Sequence, residues 1–225
     1  MRIVIIANGD PPTHDEVAHW LRDGATLICA DGGARTALAL GLAPAHVIGD
    51  FDSLSEDDLS ALVQRGAQLH RYPARKDETD LELALLLATR LAGAGERAEI
   101  VVLGACGGRL DHELANMLLL AMPALKDADV SLARGRERVF LIDARDRPAQ
   151  RTLRGSPGDT VSLLPFGGDA HGIRTTNLEY PLHDESLFVG PARGVSNVML
   201  DTSATVFLRA GMLLCLVTHH VQQFE

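Results

Sequence analysis

The chain has 225 residues, of which 46% are apolar and 23% are charged, and its formal net charge is −9 at pH 7. This length and composition predict an ordinary globular protein with one large domain or two smaller ones. The acidic balance, with an isoelectric point near 5.4, argues against binding to a nucleic-acid backbone, which requires a basic face.

The first part of the chain alternates short apolar segments with longer helical patterns. Its opening run, Met1–Ala7, has no basic segment before it and predicts a first strand rather than a signal peptide or a membrane span. Apolar strands that alternate with amphipathic helices predict an α/β domain whose parallel sheet is covered by helices on both faces. The predicted strands are Arg2–Ala7, Thr26–Ala30, His46–Gly49, Gln68–Tyr72, Glu99–Leu103 and Asp129–Ala133. The predicted helices are His14–Arg22, Ala34–Leu40, Ser55–Gln64, Thr79–Leu91 and Arg109–Met122.

From about residue 136 the pattern changes to frequent turn signals separated by short strand candidates, with no long helical period. This pattern predicts a small all-β domain, either a sandwich or a barrel. We place the boundary after residue 145, so that residues 1–145 form the α/β domain and residues 146–225 form the β-domain. The clearest strand candidates in the second part are Thr160–Leu164, Gly172–Thr176, Thr205–Arg209 and Met212–Thr218.

The three cysteines are odd in number and far apart in the sequence. Cys29 and Cys106 lie among strand-like or glycine-rich residues, and Cys215 lies near the C-terminus. This distribution argues against a disulfide framework and favours a reducing cytoplasm.

Acidic residues follow four consecutive predicted strands, and two of these loops also carry glycines. In an open α/β sheet, ligands bind outside the carboxyl ends of the strands. Each loop alone has an ordinary explanation, since acids satisfy turns and caps, and Thr79 with Glu82 matches a capping box. Together at one edge of a sheet, however, they favour a functional site. The segments are Asp31–Ala34, Asp50–Ser53, Lys76–Asp80 and Gly104–His112.

These residue types suit the binding of phosphate and magnesium. Mg²⁺ prefers carboxylate oxygens and keeps substrate phosphates in its shell, and Asp50, Asp52 and Asp80 can converge to hold it. The Gly104–Gly108 segment before a helix offers backbone N–H groups and a positive dipole end to a phosphate. Arg109 is predicted in the first turn of that helix, an unfavourable place for a cation unless an anion binds nearby. The standard P-loop and dinucleotide motifs are absent from the sequence.

Six segments, in this order, resemble the thiamine pyrophosphokinase family. The resemblance implies an enzyme that transfers diphosphate from ATP to thiamine, with Mg²⁺ as its cofactor. It also implies an N-terminal α/β catalytic domain, a C-terminal β-domain that binds thiamine and takes part in dimerisation, and a homodimer with active sites at the subunit interface. The segments are Asp31–Ala34, Gly49–Ser53, Lys76–Asp80, Gly107–His112 with Asn116, Asn177–Leu182 and Gly194–Asn197.

The resemblance also implies a role for each matching residue. Asp50, Asp52 and Asp80 correspond to the Mg²⁺ ligands, and Asp31 and Asp111 to supporting acids, either of which could accept the hydroxyl proton. The implied nucleotide contacts are Lys76, Thr79, Gly107, Gly108, Arg109 and Asn116. The implied thiamine contacts are Ser196 and Asn197.

One feature departs from the family pattern. Mammalian members place a tryptophan shortly after the Ser-Asn motif, whereas Val198–Asp201 contains none and the only tryptophan is Trp20. The sequence therefore does not identify the aromatic side chain that would contact thiamine.

We interpret His112 as a helix-surface or supporting residue and not as a metal ligand, because the other candidate ligands are oxygen donors.

Two other functions fit parts of the sequence. A pyrophosphokinase for another hydroxymethyl heterocycle, such as a reduced pterin, would use the same ATP and Mg²⁺ site, and only the β-domain argues for thiamine. A regulator that binds thiamine or a nucleotide without turnover is less consistent with three metal-binding carboxylates.

Overall fold

The computed structural model describes residues 1–93 and 97–220. They form two compact units, Met1–Gly135 and a second unit that begins at Arg136. The units divide earlier than the predicted boundary after residue 145, because the strand Glu137–Ala144 pairs along its length with Gly211–Thr218 of the second unit. The end of the predicted β-domain, residues 221–225, lies outside the described residues.

The N-terminal unit has the predicted α/β architecture, with six strands in parallel pairs. Short 3₁₀ turns at Arg22–Gly24 and Pro123–Leu125 follow two of its helices. The strands are β1 (Arg2–Ile6), β2 (Thr26–Ala30), β3 (His46–Gly49), β4 (Gln68–Arg71), β5 (Glu99–Leu103) and β6 (Asp129–Arg134). The helices are α1 (His14–Trp20), α2 (Gly33–Ala39), α3 (Glu56–Gln64), α4 (Asp80–Ala92) and α5 (Leu110–Leu119).

The strand order in this unit is β6-β5-β1-β2-β3-β4. The chain advances from β1 to β4 in one direction and then returns to place β5 on the other side of β1. The reversal between β1 and β5 is a topological switch point, where open α/β sheets bind their ligands beyond the carboxyl ends of the strands.

Both faces of the parallel sheet are buried, which explains the near-continuous apolar strands. Val4 and Ile6 share one core cluster with Val17 of α1 and Ala34 of α2. Alternate residues of a strand point to opposite faces, and α4 packs on β1, β2 and β3. Full burial of each large aliphatic side chain stabilises the fold by about 1.5–3 kcal/mol. The residues that α4 buries are Leu81, Leu83, Ala84, Leu85, Leu87 and Ala88.

Helix α5 differs from the other helices because it has no buried residue. Leu110, Leu114 and Leu118 are 69%, 54% and 60% exposed. Residues spaced by four lie above one another on a helix, so these leucines form an apolar stripe, which we call the α5 stripe.

The second unit is a β-sandwich, one of the two all-β architectures that the sequence predicted. One sheet has the order β12-β9-β14-β7 and the other β11-β10-β13-β8, and side chains of both sheets share a single core cluster. Among the described residues, no helix combines the length and apolar character needed to cross a membrane. The strands are β7 (Glu137–Ala144), β8 (Ala149–Arg154), β9 (Thr160–Pro165), β10 (Ala170–Thr176), β11 (His183–Leu187), β12 (Asn197–Val198), β13 (Ser203–Leu208) and β14 (Gly211–Thr218).

Two of the strands absent from the sequence prediction, β8 and β11, lie at the edges of the second sheet. Each pairs on one side only, β8 with β13 and β11 with β10. An edge strand is half solvated and is commonly rich in polar or charged side chains, so an apolar pattern does not reveal it.

Asp159 is a buried carboxylate that ties β9 to the end of β14. Its oxygens accept hydrogen bonds from the Ser156 N–H at 2.9 Å, the His220 N–H at 2.9 Å and the His219 ring at 2.7 Å. Burial opposes ionisation, but the hydrogen bonds from His220, His219 and Ser156 outweigh it and hold the pKa of Asp159 below its ordinary value. The ionised carboxylate therefore stabilises the second unit.

We predict that Asp159→Asn destabilises the protein at pH 7 by about 1–3 kcal/mol, because a buried charge-assisted network is lost. A carboxyl whose pKa is lowered on folding contributes stability above its unfolded pKa of about 3.9, and that stability is lost as the pH falls through the folded pKa. Urea unfolding followed by circular dichroism should thus show a smaller loss of stability below about pH 4 in Asp159→Asn than in wild type. Asp146→Asn, at an exposed position, serves as the control, and an unchanged acid profile in Asp159→Asn would contradict the assignment.

Candidate active site

Three carboxylates meet at the carboxyl edge of the parallel sheet. Asp31 follows β2, and Asp50 and Asp52 follow β3. One ligand oxygen from each lies within 4.8 Å of the other two. Asp31 is buried, and its Oδ1 atom has no hydrogen-bond partner among the described residues. Three oxygen donors with an unsatisfied buried atom form a suitable pocket for a hard divalent cation.

The backbone at this edge adopts conformations that non-glycine residues rarely take. Asp31 has φ of 40° and Phe51 has φ of 66°. Aspartate tolerates the left-handed region, but for a bulky residue such as Phe51 it is a true outlier that the surrounding structure must hold in place. Positive φ at Phe51 turns the chain between Asp50 and Asp52, and the Asp52 N–H donates to Asp50 Oδ1 at 3.1 Å.

Gly49 allows the acids of different loops to approach each other. A Cβ atom at this position would lie 3.0 Å from Asp31 Cβ and 3.3 Å from Asp80 Oδ1, and its φ is 154°. Any larger residue would push these carboxylates apart. Gly49 is therefore required at the site, although the sequence identifies it only as part of a motif.

Arg71, at the end of β4, was not identified from the sequence. It lies in register with Gly49, its Nη1 donates to the Asp50 carbonyl at 3.2 Å, and its guanidinium carbon lies 4.9 Å from the centre of the Phe51 ring. Arg71 thus holds the strained Asp50–Phe51 backbone from the neighbouring strand. An exposed arginine at the end of a strand carries no sequence signal for such a role.

Asp80 stands beside the three clustered carboxylates at the first position of α4. Its Oδ1 lies 3.0 Å from Lys76 Nζ, so Lys76 balances part of the negative charge. The Thr79 hydroxyl accepts the Glu82 N–H at 3.2 Å and caps the helix. The structure therefore gives Thr79 the capping role that its sequence pattern also allowed, and it fixes the place where Asp80 projects from the sheet edge.

The crowding of acids changes their titration. Repulsion from Asp50 is the largest cause that raises the pKa of Asp52, with burial and Asp31 adding to it and Lys76 opposing it. For Asp80, burial raises the pKa most, and its hydrogen bond and attraction to Lys76 only partly offset this effect. Both shifts mean that the ionised cluster is held at an energetic cost, which a bound cation would relieve.

The glycine-rich loop after β5 is joined to the loop after β1. The Gly9 N–H donates to the Gly104 carbonyl at 2.8 Å, and a Cβ at Gly107 would lie 2.1 Å from Asp10 Oδ1. The Gly107 N–H donates to Glu113 at 3.2 Å. The Gly107 N–H therefore already has a hydrogen-bond acceptor within the chain.

Gly108 and Asn116 complete the description of this loop. Gly108 is exposed, with φ of 78° and open space around a would-be Cβ. The Asn116 side-chain amide donates to the Ala105 carbonyl at 2.7 Å. Asn116, which lies on α5, therefore holds the loop after β5 in place.

Arg109 and Asp111 form a two-contact ion pair at the start of α5. Arg109 Nε lies 3.1 Å from Asp111 Oδ1, and Nη2 lies 2.6 Å from Oδ2. The hydrogen bond from Arg109 lowers the pKa of Asp111 to about 2. The structure places Arg109 at the N-cap of α5, where a cation is unfavourable unless an anion lies nearby. The Asp111 carboxylate supplies that anion. His112 is exposed on the same turn.

In the second unit, two of the sequence motifs come together. Asn197 is buried; its Oδ1 accepts the Tyr180 N–H at 3.0 Å and its Nδ2 donates to the Tyr180 carbonyl at 2.8 Å. Tyr180 is 65% exposed, so Asn197 fixes the backbone of an exposed aromatic residue. Ser196 is exposed, has φ of 60°, and donates its N–H to Ser162 Oγ at 3.0 Å.

The chain matches two family models in succession. The model described as "Thiamin pyrophosphokinase, catalytic domain" matches residues 17–132, more than half of the chain. The model described as "Thiamin pyrophosphokinase, vitamin B1 binding domain" matches residues 149–213. The first match carries the carboxylate cluster and the Arg109–Asp111 pair, and the second carries Tyr180 and Asn197.

Whole proteins of the same kind are similar to the chain over most of its length. Thiamine pyrophosphokinase from Bacillus subtilis is 27% identical over 214 residues, which cover 94% of this chain and 96% of that protein. Thiamine pyrophosphokinase 1 from Oryza sativa subsp. japonica is 26% identical over 207 residues, which cover 84% of this chain and 78% of that protein.

Solved structures agree with these similarities. The thiamin pyrophosphokinase from Geobacillus thermodenitrificans has a TM-score of 0.80 at 25% identity, covering 97% of each chain. The thiamine pyrophosphokinase from Bacillus subtilis has a TM-score of 0.83 at 24% identity, covering 98% of this chain and 100% of that chain, a likeness that shows the shared fold. With both domains matched in order along a common fold, this chain belongs to the thiamin pyrophosphokinase family.

Proposed function

We propose that this protein transfers the diphosphate group of ATP to the hydroxyl of thiamine and releases AMP and thiamine diphosphate. The observation that carries the proposal is the convergence of Asp31, Asp50 and Asp52 within 4.8 Å in a chain that matches both domains of one family. Clustered carboxylates at the carboxyl edge of a parallel sheet suit a nucleotide with its divalent cation.

We propose Mg²⁺ as the cofactor, held by Asp50, Asp52 and Asp80 as the resemblance implies, with Asp31 as a supporting acid beside them. The donor set supports this choice, because all four groups offer oxygens and Asp31 Oδ1 is buried without a partner among the described residues. When bound, the ion would neutralise charge on the phosphates and on these carboxylates.

The residues around the cluster would position the nucleotide. The transfer of a phosphoryl or diphosphoryl group depends mainly on alignment and charge stabilisation. Lys76 and Arg109 supply positive charge, and the open space at Gly108, next to Gly107, lets the phosphates approach the backbone. Thr79 and Asn116 would support the site indirectly. Thr79 caps α4, and Asn116 holds the loop after β5.

The thiamine hydroxyl would attack the β-phosphorus and lose its proton to a carboxylate. Asp31 and Asp111 are the two candidates. The hydrogen bond from Arg109 lowers the pKa of Asp111 to about 2, which makes Asp111 a weak base. We therefore favour Asp31 as the proton acceptor and Arg109–Asp111 as a unit that orients charge.

The second unit would bind thiamine near Ser196, with Asn197 acting through Tyr180. The thiazolium ring is a permanent cation, and cations are attracted to exposed aromatic faces. Tyr180 is 65% exposed and its backbone is fixed by Asn197, so it offers the aromatic surface that is missing after the Ser-Asn motif. The acidic balance of the chain also favours a cationic substrate.

We further propose a homodimer that associates through the α5 stripe. Its three exposed leucines, Leu110, Leu114 and Leu118, would each gain about 1.5–3 kcal/mol on burial. The stripe begins directly after Arg109, so a second copy packed on it would lie beside the glycine-rich loop.

A cytoplasmic location is consistent with the cysteines, since Cys29, Cys106 and Cys215, all described, form no disulfide.

Purified protein with ATP, Mg²⁺ and thiamine should form AMP and thiamine diphosphate in equal amounts, measured by chromatography. Activity should disappear with excess EDTA and return with added Mg²⁺. AMP release that requires a reduced pterin in place of thiamine would contradict the proposed acceptor. Thiamine binding without AMP release would identify a binding protein instead.

Asp50→Asn and Asp52→Asn should each lower kcat by roughly a hundredfold or more, because each removes a charged ligand from the cluster. Mn²⁺ binding, measured by electron paramagnetic resonance, should weaken in the same variants while the thermal unfolding temperature changes little. Asp57→Asn, exposed in the first turn of α3, is the matched control. Near-wild-type activity and Mn²⁺ affinity in both variants would exclude this metal site.

Leu114→Gln should convert a dimer to a monomer in light scattering coupled to size-exclusion chromatography. A two-fold interface uses the same surface twice, so one substitution removes two leucines and should raise the dimer dissociation constant roughly a hundredfold or more. Leu91→Gln, at a partly exposed leucine of α4, is the control. A wild-type monomer, or a dimer unaffected by Leu114→Gln, would refute this interface.

A further inference from the structure

The strand β4 forms one edge of the parallel sheet and has few anchoring contacts. It pairs on one side only, with β3, and none of its four residues is buried. At its start the Gln68 N–H donates to the Ala45 carbonyl at 2.9 Å, and after its end the Tyr72 N–H donates to the Gly49 carbonyl at 2.9 Å. A half-solvated edge strand opens locally at a low free energy unless side chains tie it to its neighbour.

The side chains of His46 and His70 provide such a tie between β3 and β4. His46 Nδ1 lies 3.1 Å from His70 Nε2. His46 begins β3 and His70 is in register with Ile48, so both rings lie on one face of the sheet. Leu69 packs on the opposite face, against the core cluster that contains Val47. We call the two hydrogen-bonded imidazoles the histidine pair.

The hydrogen bond of the histidine pair requires at least one neutral ring. A neutral imidazole has one N–H donor and one acceptor nitrogen, whereas an imidazolium has two donors and no acceptor. If both rings are protonated, neither nitrogen can accept and two like charges face each other. The tie between β3 and β4 therefore exists only while one ring keeps an acceptor nitrogen.

The surroundings of the histidine pair favour neutral rings. Burial is the main cause that lowers the pKa of His46, and repulsion from His70 adds to it. Burial also lowers the pKa of His70 most, and Arg90 in the last turn of α4 adds to it. The acids of α4, Asp80 and Glu82, lie in its first turn, at the opposite end of the helix. Because both pKa values lie below the unfolded value of about 6.5, the stability that the neutral pair contributes is complete above that pH and is lost as the pH falls below it.

The histidine pair is connected to the acidic loop through the next residue of β4. Arg71 directly follows His70, donates to the Asp50 carbonyl at 3.2 Å and lies over the Phe51 ring. Phe51 has a left-handed backbone that its surroundings must maintain. Arg71 can hold this backbone only while β4 stays in register on β3. Loosening of β4 would therefore release the turn between Asp50 and Asp52.

We propose that His46 and His70 are positioning residues for the reaction, because their hydrogen bond keeps β4 on β3 and β4 holds the acidic loop through Arg71. Protonation of both rings would break this contact and lower the affinity of Asp50 and Asp52 for the divalent cation. The inference rests on the proposed function where turnover is measured, whereas Mn²⁺ binding to the acidic loop can be measured without turnover.

The double substitution His46→Asn/His70→Gln, which we call the amide variant, tests the dependence on protonation. An Asn amide can take the place of Nδ1 and a Gln amide that of Nε2, so the pair keeps a donor and an acceptor at every pH. Between about pH 7.5 and about pH 5.5, kcat of the wild type should fall roughly fivefold more than kcat of the amide variant. Protonation of ATP, thiamine or the carboxylates acts on both proteins alike.

His14→Gln, at an exposed histidine of α1, is the matched control and should follow the pH profile of the wild type. Superimposable profiles of the wild type and the amide variant would overturn the proposal. The amide variant also covers the case in which removal of an imidazole without replacement impairs folding, which thermal unfolding would detect.

A double-mutant cycle tests the route through Arg71. His70→Ala and Arg71→Ala should each lower kcat at about pH 7.5 by roughly fivefold or more, because each loosens the acidic loop. Together they should cost little more than the larger single effect, since both act on the same contact. His70→Gln should recover most of the activity that His70→Ala loses. Single effects that multiply in the double variant would show independent action and reject the route.

Mn²⁺ affinity, measured by electron paramagnetic resonance, separates this inference from the proposed function. It should fall more steeply in the wild type than in the amide variant as the pH is lowered from about 7.5 to about 5.5. Such a difference without formation of thiamine diphosphate would reject the proposed function and leave the role of the histidine pair intact. Formation of thiamine diphosphate with identical profiles of kcat and Mn²⁺ affinity in both proteins would reject the role of the histidine pair alone.

Discussion

Repulsion among carboxylates at one edge of the sheet is the constraint on which the rest of the site depends. Asp31, Asp50 and Asp52 bring oxygens within 4.8 Å, and a pair of like charges 4 Å apart repels by about 4 kcal/mol at an effective dielectric constant of 20. The ladders of β2 and β3 hold these residues, and the left-handed backbone at Asp31 and Phe51 directs them. The strands therefore hold the carboxylates together against their mutual repulsion, which a bound cation would relieve.

Several residues serve the site by holding other residues and not by facing the substrate. Arg71 fixes the strained acidic loop through Asp50 and Phe51, and Asn116 fixes the loop after β5. Asn197 does the same for Tyr180 in the second unit. Substitution of such residues would displace the reacting groups without removing any of them, and small displacements have large effects when catalysis depends on alignment.

The strand order explains why the functional groups of the first unit fall into separate regions of one edge. The carboxylates follow β2 and β3, whereas the glycine-rich loop follows β5, on the other side of β1. A nucleoside triphosphate is long and its charge is unevenly distributed, so separate regions for its parts are consistent with the fold of the thiamin pyrophosphokinase family, to which this chain belongs.

The sequence by itself determined the family, the parallel sheet, a small all-β domain and the acidic loops, because apolar periodicity and residues after strand ends are local signals. It did not reveal β8 and β11, whose edge positions permit polar residues, or the unit boundary, which the pairing of β7 with β14 decides. Only the tertiary structure assigned Arg109 to Asp111, Lys76 to Asp80 and Asn197 to Tyr180. It also identified Arg71 as the residue that holds the acidic loop. The contacts of Arg71 and Asn197 depend on which segments become neighbours in the fold, and those of Arg109 and Lys76 depend on the directions of side chains within one turn. A one-dimensional pattern carries no information about either.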